Sequence, residues 1–229
     1  MTTLLEKIVS VIAPHRCVIC SIENNIVCDD CANSVFGLVD ACCTFCGELA
    51  ESFATCAACK KRHPLEYIWI ASDFTGVPAR IIKQYKFAGA RAAAAPLGHA
   101  IAAQLPLLTP ETLIVPIPTT PTRIRQRGYD HALLLAKAVG QEIQLPIAPL
   151  LSREHDARQV GATRSQRFAQ AATAFYASKL PYPRPILLID DVVTTGATLD
   201  AAAKVLISAG ATSVNAAVIA KQAASGQQI

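Results

Sequence analysis

The stretch Ile186-Leu-Leu-Ile-Asp190-Asp191-Val-Val-Thr194-Thr195-Gly196-Ala197-Thr198 decides the fold. An apolar run ends in two adjacent carboxylates, and a short loop of hydroxyls and glycine leads into the helix-forming segment Leu199 to Ser208. A buried strand followed by an ordinary turn accounts for Ile186 to Ile189 but not for paired acids at the strand end. A strand–loop–helix unit of this kind suits a sugar phosphate. The loop can aim backbone N–H groups and the positive end of a helix dipole at a phosphate. Thr194, Thr195 and Thr198 add hydroxyl donors, Gly196 lets the backbone approach closely, and Ala197 completes the candidate phosphate-binding loop. Asp190 and Asp191 can accept hydrogen bonds from vicinal hydroxyls or help to hold a hydrated metal ion.

Outward from this stretch, apolar runs near 67–74, 113–118 and 213–219 join 186–190 as predicted strands. Helical patterns over 78–87, 91–105 and 131–143 alternate with them, which predicts an α/β domain: a mainly parallel sheet flanked by helices. Ligands of such sheets lie at the carboxyl ends of the strands, where the 190–198 segment sits. Arg123, Arg125 and Arg127 follow the strand at 113–118 and read as a basic loop. With Lys86 they could hold a pyrophosphate, although a solvated basic turn has the same composition. A second basic stretch, Ser152 to Arg167, carries Arg153, Arg158, Arg164 and Arg167. It reads as a mobile loop able to close over a charged substrate, or as a plain surface connection.

All nine cysteines lie between Cys17 and Cys59. Eight form Cys-x-x-Cys units: Cys17/Cys20, Cys28/Cys31, Cys43/Cys46 and Cys56/Cys59. Two residues between thiols let both sulfurs face one metal, and four thiolates make a closed tetrahedral zinc site. Sequential pairing gives a double zinc ribbon; pairing the first unit with the third would also satisfy the metal. Short loops closing on themselves favour the sequential arrangement. Disulfides fit poorly with a reducing compartment, and iron–sulfur clusters are a second alternative to zinc. Cys42 could replace its neighbour Cys43, and His15 and His63 could substitute as ligands, though they read more naturally as surface residues. A closed site has no open position for substrate, so one or two structural Zn²⁺ ions are expected, on which so small a segment would depend to fold.

With 229 residues, 52% hydrophobic and only 17% charged, the chain can bury a full domain and a small appendage. The division falls at 1–63, cysteine-rich, and 64–229, α/β. The first part carries 5 Lys/Arg against 7 Asp/Glu and the second 16 against 10, or −2 and +6. Anions are therefore expected at the second part. No apolar run approaches the 18 residues of a membrane span. Met1 to Pro14 lacks the basic leader and cleavage site of a secretory signal and reads as a short docking helix, which places the chain in the cytoplasm.

The 186–198 stretch resembles the phosphoribosyl pyrophosphate (PRPP) motif of type I phosphoribosyltransferases. The cysteine units, Tyr85-Lys86-Phe87, Val115-Pro-Ile-Pro118, Arg127-Gly-Tyr-Asp-His-Ala132 and Gln159-Val-Gly161 extend the likeness to the ComF/GntX family over nearly the whole chain. That family usually shows Arg-Gly-Phe-Asn-Gln-Ala where this chain has Tyr129, Asp130 and His131. It also usually carries Arg-x-x-Asn before Phe175, whereas Gln170 follows Arg167 here. The resemblance implies a type I phosphoribosyltransferase-like fold binding PRPP with Mg²⁺, its 5′-phosphate on Thr194 to Thr198 and its ribose hydroxyls on Asp190 and Asp191. It implies a role in natural competence, with single-stranded DNA and DNA-uptake proteins as partners. Whether the chain transfers phosphoribose is left open, because no segment suited to recognising an acceptor base stands out.

Overall fold

The computed structural model describes residues 16–23, 26–37, 39–87, 90–153 and 175–222. Among them a four-stranded parallel sheet is the framework. Its strands are β1 (Leu65–Asp73), β2 (Leu113–Pro116), β5 (Arg184–Val193) and β6 (Ala211–Lys221), in the order β1-β6-β5-β2. In register, Ile186 lies beside Leu113 on one side and Val214 on the other. The near-continuous apolar character of β2 and β5 follows from burial on both faces of a parallel sheet.

The strand period of two divides the apolar side chains between two cores. Trp69, Ala71, Ile114, Leu187, Ile189, Ala217 and Ile219 face one core. Against it pack α3 (Gly76–Phe87), α4 (Ala94–Ala102) and α6 (His131–Ile143). Ile68, Ile70, Val115, Ile186, Leu188, Val214 and Val218 face the other, which α7 (Ala197–Ser208) covers. The cysteine-rich segment contributes to both. Ile26, Val27, and Ala32 and Phe36, in and just after α1 (Asp29–Val35), join the first core; Cys43, Phe45 and Cys59 join the second, Cys59 from α2 (Ala57–Lys60). The two halves of the ribbon segment thus serve opposite faces of the sheet.

Three departures from the sequence reading have local causes. The basic segment at 121–127 is a short helix, α5 (Pro121–Arg127), rather than a loop. Pro121 starts it, where a missing N–H costs nothing, and Gly128 ends it in the left-handed region at φ 76°. Strand β5 runs past the acids to Val193, so Asp190 and Asp191 lie within its last four residues. Leu151–Arg153 (β3) and Phe175–Ala177 (β4) form an antiparallel ribbon, taking Ser152 and Arg153 into a strand. The rest of the basic stretch, with Arg158, Gln159, Gly161, Arg164, Arg167 and Gln170, lies outside the described residues, as do Met1 to Pro14 and His15. No helix among the described residues is long and apolar enough to cross a membrane.

Candidate functional site

Strand alternation sends the two carboxylates to opposite faces of β5. Asp191 turns toward the α3 and α6 side, where it is buried. Its Oδ1 lies 2.9 Å from Lys86 Nζ, near the end of α3, and its Oδ2 lies 2.7 Å from His131 Nε2, at the start of α6. The second distance is that of an ion pair, but its direction departs from hydrogen-bond alignment and leaves Oδ2 under-satisfied as an acceptor. Burial alone would push this carboxyl up; the His131 ring and the Lys86 ammonium outweigh it and hold the group at about 2. Asp190 is half-buried and accepts the Asp191 N–H at 2.8 Å. Burial, reinforced by the neighbouring Asp191 charge, pushes it up to about 7. Adjacent like charges cannot both ionise cheaply, so at neutral pH the pair is poised with Asp191 charged and Asp190 titrating.

The segment 127–131 supplies most of the surroundings. Asp130 caps α6 by accepting the Leu133 N–H, and it also accepts the Thr119 hydroxyl at 2.8 Å. The same hydroxyl oxygen lies 3.1 Å from His131 Nδ1. Arg127 Nη1 is 2.8 Å and 3.2 Å from the two ring nitrogens of His131, which puts the guanidinium over the ring face. Tyr129 is buried, packs against Tyr85 and donates its hydroxyl to the Tyr85 carbonyl; Tyr85 in turn donates to the carbonyl of His131 at 2.6 Å. The Tyr85 hydroxyl is pushed far up by burial and stays a neutral donor. Of the four basic residues singled out in the sequence, Lys86 and Arg127 reach the Asp191–His131 pair. Arg125 is exposed beside Thr122, and Arg123 stands near enough to Arg127 to repel its charge.

At the end of β5, Thr194 is exposed and Thr195 and Thr198 are half-buried, while Gly196 and Ala197 are buried. Gly196 stands at the N-cap of α7 with φ 76°, a left-handed conformation natural to glycine. The Ala197 N–H is directed at Thr195 Oγ1 across 3.4 Å. The Phe45 ring from the cysteine-rich segment sits on Gly196 so closely that a Cβ there would lie 2.8 Å from its edge.

The eight thiols gather as Cys17, Cys20, Cys28 and Cys31, and as Cys43, Cys46, Cys56 and Cys59, each set lying within 4.8 Å. Cys20 and Cys28 sulfurs are 3.6 Å apart, as are those of Cys46 and Cys56. A tetrahedron with metal–sulfur bonds of about 2.3 Å has an edge of about 3.8 Å, so these residues fit a zinc ion. Crowding points the same way: the Cys28 thiol drives Cys31 far up, and burial with neighbouring thiols takes Cys59 up to about 12. Four such groups ionise together only around a cation. Cys42 joins neither set and lies 2.9 Å from Lys221 Nζ. His63, expected at the surface, is instead mostly enclosed, stacked on Phe45 and paired with Asp200 at 2.8 Å.

The phosphoribosyl transferase domain family matches residues 130–229, from the N-cap of α6 through the carboxylate pair and phosphate loop. Competence protein F of Haemophilus influenzae is 28% identical over 212 residues, spanning 85% of this chain and 92% of that protein. Competence protein ComFC of Streptococcus pneumoniae is 36% identical over 104 residues. By sequence the chain is similar to competence proteins of the ComF type. The pneumococcal alignment takes in 45% of this chain and spans less than half, 46%, of its relative. Among solved structures, an allosteric regulatory enzyme of purine biosynthesis aligns with 60% of the chain and 30% of its own, at 14% identity and a TM-score of 0.39. The resemblance rests on the order of motifs already in the sequence, but His131, Phe45 and Asp200 carried no role there, and His63 only that of a spare ligand or surface residue. The clue for His131 was its place one residue beyond a capping aspartate, on a segment already singled out.

Proposed function

We propose that this chain binds PRPP with Mg²⁺ at the carboxyl end of β5 and serves natural competence from the cytoplasm. One observation carries the ligand reading: a carboxylate poised to titrate near neutrality, a cation-braced partner and a glycine-capped helix N-terminus share one strand end. In this reading the 5′-phosphate lies on Thr194, Thr195, Gly196, Ala197 and Thr198, where backbone N–H groups and hydroxyls converge. Asp190 accepts from the ribose hydroxyls and helps to orient a hydrated Mg²⁺. Asp191 is the brace behind it, fixing the Lys86 ammonium and the His131 ring beside the incoming anion. Arg127, and further out Arg123 and Arg125, favour the pyrophosphate by charge. The two four-cysteine groups hold structural Zn²⁺ in sequential pairs and shape the protein rather than its chemistry.

Support for the competence role comes from the relatives named competence protein F and competence protein ComFC. The excess of positive charge over residues 64–229 suits single-stranded DNA as a further partner, with DNA-uptake proteins beside it. Calorimetric titration of zinc-loaded protein with PRPP and Mg²⁺ tests the ligand. Saturable binding that is lost in the Asp190→Asn/Asp191→Asn double variant is the expected result, and wild-type affinity in that variant refutes the ribose assignment. Release of pyrophosphate on adding candidate bases distinguishes transfer from binding alone. Restoration of DNA uptake in a transformable host lacking its own family member tests the biology.

A further inference from the structure

The phosphate loop does not stand alone in the fold. The Phe45 ring, from the turn between Cys43 and Cys46, is buried against Gly196, with ring atoms 2.8 Å and 3.1 Å from where a Cβ would be. The other side of that ring is stacked on His63, with centroids 3.8 Å apart and planes within 4°. His63 Nδ1 meets Asp200 Oδ1 at 2.8 Å, and Asp200 is buried in the first turn of α7, where Lys204 holds its second oxygen at 2.8 Å. A second tie lies on the strand side of the loop. Cys42 is 2.9 Å from Lys221 Nζ, and Lys221 lies in register with Val193, the residue before Thr194. The second cysteine ribbon therefore meets the phosphate loop at Gly196 through Phe45, the helix it opens through His63, and the strand beside its start through Cys42.

From this contact chain we propose that Phe45 is a positioning residue for the phosphate loop, so that the second ribbon forms part of the anion site. The tetrahedral cysteine group Cys43, Cys46, Cys56 and Cys59 fixes the turn that carries Phe45 and the residue His63 that follows Cys59. The ring in turn fills the space Gly196 would otherwise move into. Metal in this ribbon then sets how well ordered residues 194–198 are, and hence the affinity for a phosphate. The first ribbon packs into the opposite core. The proposal rests on the reading of 194–198 as a phosphate site, and its test separates the two.

Three measurements are made on zinc-loaded protein: zinc per chain, amide hydrogen exchange across 194–200, and calorimetric titration with PRPP and Mg²⁺. Phe45 offers no metal ligand, so Phe45→Ala is expected to keep its zinc, to speed exchange in 194–200 about tenfold and to weaken PRPP about tenfold. Phe45→Leu, which refills part of the space, should recover part of both. Should Phe45→Ala lose zinc, Asp200→Asn severs the same chain away from the ribbon and is expected to speed exchange in 194–200 with zinc unchanged. Wild-type exchange in the zinc-bearing variants overturns the proposal. So does metal removal that raises exchange equally in α6 and α7, because the ribbon would then support the fold at large. If wild-type protein fails to bind PRPP, the ligand reading falls, while the exchange data still decide whether Phe45 orders the loop.

Discussion

Replacing Gly196 by alanine tests the central contact of the site by stability alone. At φ 76° an L-residue pays about 1–2 kcal/mol of backbone strain, reduced by the smaller entropy of the unfolded alanine chain, about 0.4–1 kcal/mol. The new methyl would also lie 2.8 Å and 3.1 Å from Phe45 ring carbons, against a preferred separation of about 3.5–4.0 Å. Overpacking of that kind costs about 1–3 kcal/mol. The expected total is about 2–4 kcal/mol, read from urea unfolding of zinc-loaded protein. Phe45→Ala alone should cost about 3–5 kcal/mol for its buried ring. In the double variant the clash has no partner, so the combined loss should fall short of the sum by about 1–3 kcal/mol. Additivity within about 0.5 kcal/mol would refute the ring-on-glycine contact.

Other outcomes follow from the same geometry. Because Asp190 is raised to about 7, PRPP binding with Mg²⁺ should weaken toward tenfold per unit as pH falls below 7 and level off above it, and Asp190→Asn should flatten the profile. Folding stability has the opposite sign at this residue: its contribution is greatest at acid pH and declines as pH rises through about 7. Asp191, held at about 2, contributes stability that is present above its unfolded value and lost as pH falls toward 2; a urea midpoint series in pH reads both. His131→Ala should cost about 2–4 kcal/mol by leaving the buried Asp191 Oδ2 without its nearest partner. His131→Gln, which still offers a donor, should lose less than half of that. Cys17→Ser should lower the zinc content of the first ribbon while Cys42→Ser leaves metal analysis unchanged, and a full zinc complement in the Cys17 variant would argue against its place in the set.

The sheet and the phosphate loop were legible because their signals are local. Ile186 to Thr198 carries strand, acids, loop and helix start in one run, and the four Cys-x-x-Cys units, whose short spacers favoured sequential grouping over an interleaved one, gather in that order. Helix α5 was readable too, from Pro121 and Gly128, but the run of arginines between them drew the reading toward a loop. Strands β3 and β4 are three residues each, too short for alternation to show. The brace and the clamp were out of reach for a different reason. Lys86, His131 and Asp191 come from three separate elements, and Phe45, His63 and Asp200 join the ribbon to the last helix. No periodicity links such residues; only the crossing of the chain in space brings them together. His63 misleads most, since a histidine next to a cysteine unit looks like a spare ligand or a surface group, when its use is as a wedge.

Among the described residues, strand β1 stands at the edge of the parallel sheet, with β6 as its partner strand. A chain leaving the ribosome therefore exposes Ile68, Trp69 and Ile70 long before residues 211–221 emerge to shelter them. The second ribbon is in the same position, because α7, on which it sits, is also made late. Strand β1 must wait for a late one, whereas β2 pairs with β5, and α4 packs on α6, without β6. Synthesis therefore leaves an interval in which chaperone binding and metal supply act on a chain whose first strand is still open.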